Sequence, residues 1–120
     1  MVTRQQFEAL VEQALHDLPE QFAQLIENIV IVIEEEPSEE DLDVLEDDEE
    51  GHELLGIYRG IALPHRSFGM LPSLPDQIAI FRGPILRIAR TPAAIVEQVR
   101  ETVIHELGHY FGLSDHDMVF

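Results

Sequence analysis

The sequence predicts a single domain that mixes helices with strands, and three observations lead there. Its 120 residues are 45% hydrophobic, and a chain of that size buries roughly two-thirds of its unfolded surface around one core. Apolar residues recur at helical spacing near both ends of the chain. Between those ends lie β-branched and alternating runs separated by proline and glycine.

The elements follow in order. Phe7, Leu10, Val11, Ala14, Leu15 and Leu18 stand three and four apart, so residues 4–16 read as an amphipathic helix that Leu18-Pro19 breaks. A shorter helix over about 20–28 presents Phe22, Leu25 and Ile26. The β-branched run Ile29 to Ile33 reads as a strand buried on both faces. Leu54 to Arg59 is a second strand, ended by Gly60, and residues 61–76, with Pro64, Gly69, Pro72 and Pro75, read as irregular chain. Gln77 to Phe81 forms a third strand, bulged by Arg82-Gly83-Pro84 and continued by Ile85 to Ile88; proline inside that run marks an edge strand. Thr91 then caps a helix that begins at Pro92 and runs to about Phe111, where Gly112 is placed to end it in a left-handed turn.

Charge divides the chain unevenly. Against 24 acidic residues stand 7 basic ones, every one an arginine, for a formal net charge of -17. Residues 34–53 hold 13 of the acids and no base, and read as a solvated, self-repelling, flexible loop. A calcium site is the rival reading and is disfavoured there, because Asp41-x-Asp43-x-Leu45-Glu46 lacks a third oxygen ligand and the turn glycine. The acidic excess excludes nucleic acid and anionic membrane as general partners. Without cysteine there is no disulfide framework, thiolate zinc finger, iron–sulfur site or cysteine nucleophile, so any metal must sit on His, Asp or Glu. No apolar h-region follows the first residues and no eighteen apolar residues run together, so the chain reads as soluble, unexported and cytoplasmic.

The chemistry concentrates in the last helix, which carries His105-Glu106-Leu107-Gly108-His109. Residues four apart on a helix share a face, so two imidazoles can grip one ion with Glu106 rotated beside them. Zinc chemistry uses this arrangement: the imidazoles hold the ion, an open position keeps a water whose pKa falls towards 7, and a carboxylate takes its proton. By composition the five-residue pattern arises by chance in roughly 4% of such chains. Adding Gly112 and an Asp or His six residues after His109 lowers this to roughly 3 in 10,000. Only eleven residues follow His109, so a third ligand comes from 110–120, from upstream or from solvent. Asp115 is first by spacing and His116 next.

The extended pattern His105-Glu106-x-x-His109-x-x-Gly112-x-x-Asp115 resembles that of the zincin metallopeptidases. With Gly56-Ile57-Tyr58, Ile80-Phe81-Arg82-Gly83-Pro84 and the short tail, the chain is similar over about residues 54–118 to a family of small bacterial minimal zincin-like proteins. The resemblance implies an α+β fold in which a small mixed sheet packs on helices that include a C-terminal active-site helix. It also implies an edge strand rimming a cleft for extended peptide, which would be Gln77 to Gly83. The chain departs from the long metzincins in offering Asp115 where they have a third His, and in lacking downstream chain for a methionine turn.

The activity this reading implies is zinc-dependent hydrolysis of peptide bonds in a peptide or protein substrate. His105, His109 and Asp115 hold Zn2+, and Glu106 acts as general base on a metal-activated water and returns the proton to the leaving nitrogen. Tyr58, His65, Tyr110 and His116 are candidates for stabilising the oxyanion, whereas His16 and His52 read as surface residues. A different class of function is a non-catalytic or latent zinc domain serving structure or interaction. A purely structural site needs four ligands and no base, which speaks for the peptidase.

Overall fold

The computed structural model describes residues 2–43, 54–60 and 76–110. Helix α1 (Arg4–His16) begins at a reciprocal capping box: the Gln6 amide N–H donates to Thr3 Oγ1, and the Thr3 amide N–H donates to the Gln6 side chain. After Leu18-Pro19 come α2 (Glu20–Leu25) and a single 3-10 turn, Ile26–Asn28, which feeds β1 (Ile29–Glu34). A short α3 (Glu39–Asp43) precedes β2 (Gly56–Arg59); β3 (Asp76–Phe81) leads directly into α4 (Arg82–Ile88), and α5 (Pro92–Tyr110) follows.

The fold is α+β, and the described residues form a three-stranded mixed sheet in the order β1-β3-β2. β1 runs parallel to β3, with Ile31 opposite Ile78, and β2 runs antiparallel to it, with Tyr58 also opposite Ile78. Alternation along each strand separates two faces. On one, Ile29, Ile78 and Ile80 join Phe7, Val11 and Ala14 of α1, Ile85 of α4, and Ile95, Val99, Val103 and Leu107 of α5 in the main core. On the other, Ile57, Ala79 and Phe81 form a smaller cluster with Val32 and Leu54 against it.

Three expectations change. Gln77 to Phe81 lies in the middle strand rather than on a rim, and the described edges belong to β1 and β2. Ile85 to Ile88 is helix rather than continued strand. Pro84 falls in the first turn of α4, where no intrahelical partner for its nitrogen is needed, and Ile85 and Ala89, one turn apart, both face the core. β1 is not buried on both faces either, since as an edge strand it leaves Val30 41% exposed.

The acidic stretch is also more ordered at its start than a self-repelling loop. Glu34 and Asp41 both engage Arg59, with Glu34 holding its guanidinium through two contacts of 2.8 Å. Glu35 accepts from Arg4 and Arg82, and Glu36 from Arg87. Ser38 caps α3 reciprocally with Asp41. Residues 44–53, the rest of the expected loop, lie outside the described residues.

Candidate metal centre

The site is built on α5. The Thr91 hydroxyl accepts from the Ala94 amide at 3.1 Å and starts the helix as expected. Ile95, Val99, Val103 and Leu107, each one turn from the last, are essentially fully buried. At about 1.5–3 kcal/mol for each such side chain, this stripe fixes how the helix is rotated on the sheet. Thr102 and Glu106 flank the stripe, both buried, and His105 and His109 follow on the adjoining, partly open face.

His105, Glu106 and His109 each turn one ligand atom into a common space, with all three atoms within 4.8 Å of one another. The two imidazole rings stand edge to face, 5.1 Å apart at an interplanar angle of 74°. A tetrahedral zinc with bonds of about 2.0–2.1 Å sets its ligand atoms roughly 3.3 Å apart, a gap that small side-chain rotations close. Two imidazoles and a carboxylate are also a donor set of the right hardness for zinc, so these residues could hold one divalent ion.

Glu106 also has a role in the fold. Its Oε1 accepts from the Tyr58 backbone N–H at 2.7 Å, joining α5 to β2 across 48 residues of sequence. Phe81 N–H donates to Leu55 C=O, which makes that opposed pair the hydrogen-bonded one and leaves the N–H and C=O of Gly56 and Tyr58 directed away from β3. The close contact depends on Gly56. A Cβ there would stand 2.6 Å from Thr102 Cγ2 and 2.9 Å from Ala79 C=O. Thr102 has its methyl turned this way because its hydroxyl donates to Gln98 C=O at 2.8 Å, one turn back.

Tyr58 brings its phenol to Asp76 Oδ1, at 3.2 Å, across β2 and β3. Gly60, at a φ of +151°, ends β2 as its position foretold. His16 is exposed at the end of α1. Asp115, His116, Gly112, His65 and His52 lie outside the described residues, and of Tyr110 only the backbone, which closes α5, is described. Sequence reasoning missed the Tyr58 amide and the Gly56–Thr102 contact. A glycine inside a short strand is a signal for close backbone approach, whereas a main-chain donor has no signature in residue type.

Charges elsewhere on β2 are settled by ion pairs. Arg59 holds Glu34 below the usual carboxylate range by direct hydrogen bonding. For Asp41, burial pushes the pKa up, but hydrogen bonds from Arg59 and Ser38 outweigh it and leave the group lowered. Arg59 is raised in turn, chiefly by its bond to Glu34. A cavity of about 510 Å³ lies between α1 and β1, lined by Glu8, Glu12, Leu15, Ile31 and Ile33 among others, and shares no residue with the histidine cluster.

No helix among the described residues is long and apolar enough to cross a membrane. No curated protein matches the chain at a significant level. Among solved structures, a conserved hypothetical protein from Thermo thermophilus is similar at 29% identity with a TM-score of 0.58, covering 92% of this chain and 94% of that one. The zincin-like metallopeptidase family matches residues 26–119, a span that takes in the whole sheet and all of α5. The chain therefore belongs to the zincin-like metallopeptidase family.

Proposed function

We propose that this protein is a zinc-dependent peptidase that hydrolyses peptide bonds in a peptide or protein substrate. The observation that carries the reading is the division of labour on α5: His105 and His109 converge on the open side, while the carboxylate between them is buried and tied to a strand. His105 and His109 are the ligands, with Asp115 as the third. When bound, zinc polarises a substrate carbonyl and lowers the pKa of a coordinated water towards 7. Glu106 takes a proton from the attacking water and hands it to the departing amine nitrogen, so the carboxylate ends the cycle as it began.

Glu106 is assigned as base rather than ligand because a main-chain N–H already fixes one of its oxygens at 2.7 Å. The test is digestion of an unbiased peptide library by zinc-loaded protein beside Glu106→Gln. The variant should keep its metal and lose at least about 100-fold in hydrolysis, the order that general base catalysis contributes. Equal loss of metal would make Glu106 a ligand. Cleavage undiminished in the variant, or no cleavage by either protein, would favour a non-catalytic zinc domain.

A further inference from the structure

We propose that β2 is the positioning element for Glu106, with Gly56 setting its distance from α5 and the Tyr58 main-chain N–H orienting the carboxylate. The inference rests on the reading of Glu106 as base for its catalytic consequence, although its geometric part stands independently. Three observations converge on it. The Tyr58 N–H points out of the sheet, where no described strand can receive it, and it meets Glu106 Oε1 at 2.7 Å. Gly56, two residues earlier on the same edge, leaves room for the Thr102 methyl, one helical turn before Glu106. Thr102 is itself held in that rotamer by Gln98 C=O.

The chemistry follows from which oxygen is held. A carboxylate on a flexible stem samples many orientations, whereas one anchored at Oε1 presents Oε2 in a fixed direction. Anchoring also supplies a hydrogen bond to the ionised form of a carboxylate that is only 7% exposed, a group whose burial needs such a partner. Gly56 and Thr102 are positioning residues because they act through this contact.

The contact can be read without any activity, by amide hydrogen exchange of metal-free protein followed residue by residue with NMR. The Tyr58 amide should be protected in the wild type and in Glu106→Gln, which keeps an acceptor oxygen. It should exchange at least about 10-fold faster in Glu106→Leu and in Gly56→Ala, because the donor then faces water. In Gly56→Ala/Thr102→Ser, which removes the opposing methyl and keeps the hydroxyl, protection should return in part, as a fold-wide defect would not allow. The amides of Ile78 and Ile80 report in each case whether the sheet itself persists.

In zinc-loaded protein Gly56→Ala should lower kcat by up to about 100-fold, the scale of a misplaced catalytic group, with metal occupancy unchanged and partial recovery in the double variant. A Tyr58 amide that exchanges as fast in the wild type as in Glu106→Leu would overturn the proposal, as would full protection in Gly56→Ala. If protection follows the expected order while no variant or wild type hydrolyses peptide, the anchoring is upheld and the peptidase reading falls.

Discussion

The two outer strands of the described sheet meet their surroundings through different kinds of contact. β1 keeps Val30 41% exposed, and the chain at and just beyond its end is fastened by charge: Glu34 to Arg59, Glu35 to Arg4 and Arg82, Glu36 to Arg87. β2 has four residues; Arg59 at its end supplies the guanidinium that holds Glu34, but its start meets α5 closely at Gly56, and its Tyr58 N–H donates to Glu106. Charge pairs with half-exposed partners tolerate distance and are screened by salt. A contact that leaves no room for a Cβ tolerates little. The His105-Glu106-His109 motif of α5 packs beside the second kind of contact, while the arginines fasten the chain at and beyond the end of β1.

Filling the tight edge should have the largest effect. Gly56→Val places a branched side chain against Thr102 and Ala79, and overpacking of this kind costs about 1–3 kcal/mol. Chemical denaturation at low and at 1 M salt should return the same loss. Asp41→Asn comes next, because Asp41 is buried and makes two contacts to Arg59, at 3.2 and 2.8 Å. Losing these charged hydrogen bonds should cost about 1–2 kcal/mol at pH 7.

The pH dependence of that loss has a definite sign. Asp41 and Glu34 have lower pKa values folded than unfolded, so the unfolded chain binds more protons on acidification. Their contribution is present above about pH 4 and is lost as pH falls through the folded values. The gap between wild type and Asp41→Asn should therefore narrow on going from pH 7 to about pH 3, measured by denaturant titration at each pH. Arg87→Ala should be the smallest change. Its pair with Glu36 is about half exposed on both sides, so the loss should stay under about 1 kcal/mol and disappear near 1 M salt.

The same contrast explains what could be read from the sequence. α1 and α5 are legible because their apolar residues repeat every three or four positions and Thr91-Pro92 marks a start, all local information. His105, Glu106 and His109 are legible for the same reason, since spacing on one helix fixes their mutual placement. The ion pairs of Glu34, Glu35 and Glu36 are not, because their arginines lie 25 to 51 residues away and a run of acids looks self-repelling by itself. Ile85 to Ile88 failed as strand because a run this short, three apolar residues and Arg87, satisfies either period, and the Pro84 that suggested an edge strand suits a first helical turn equally well. The exposure of β1 is set by its place in the sheet, which β-branched composition does not report.

In the proposed function His105 and His109 hold one divalent ion, with Glu106 beside them as base rather than ligand. Zinc stoichiometry and affinity of the full chain, measured by competition with a chelating dye, test it most directly for wild type, His105→Ala, His109→Ala and Glu106→Gln. One zinc per chain is expected in the wild type and in Glu106→Gln, with loss of most of it in each histidine variant. Full zinc occupancy in both histidine variants would contradict it.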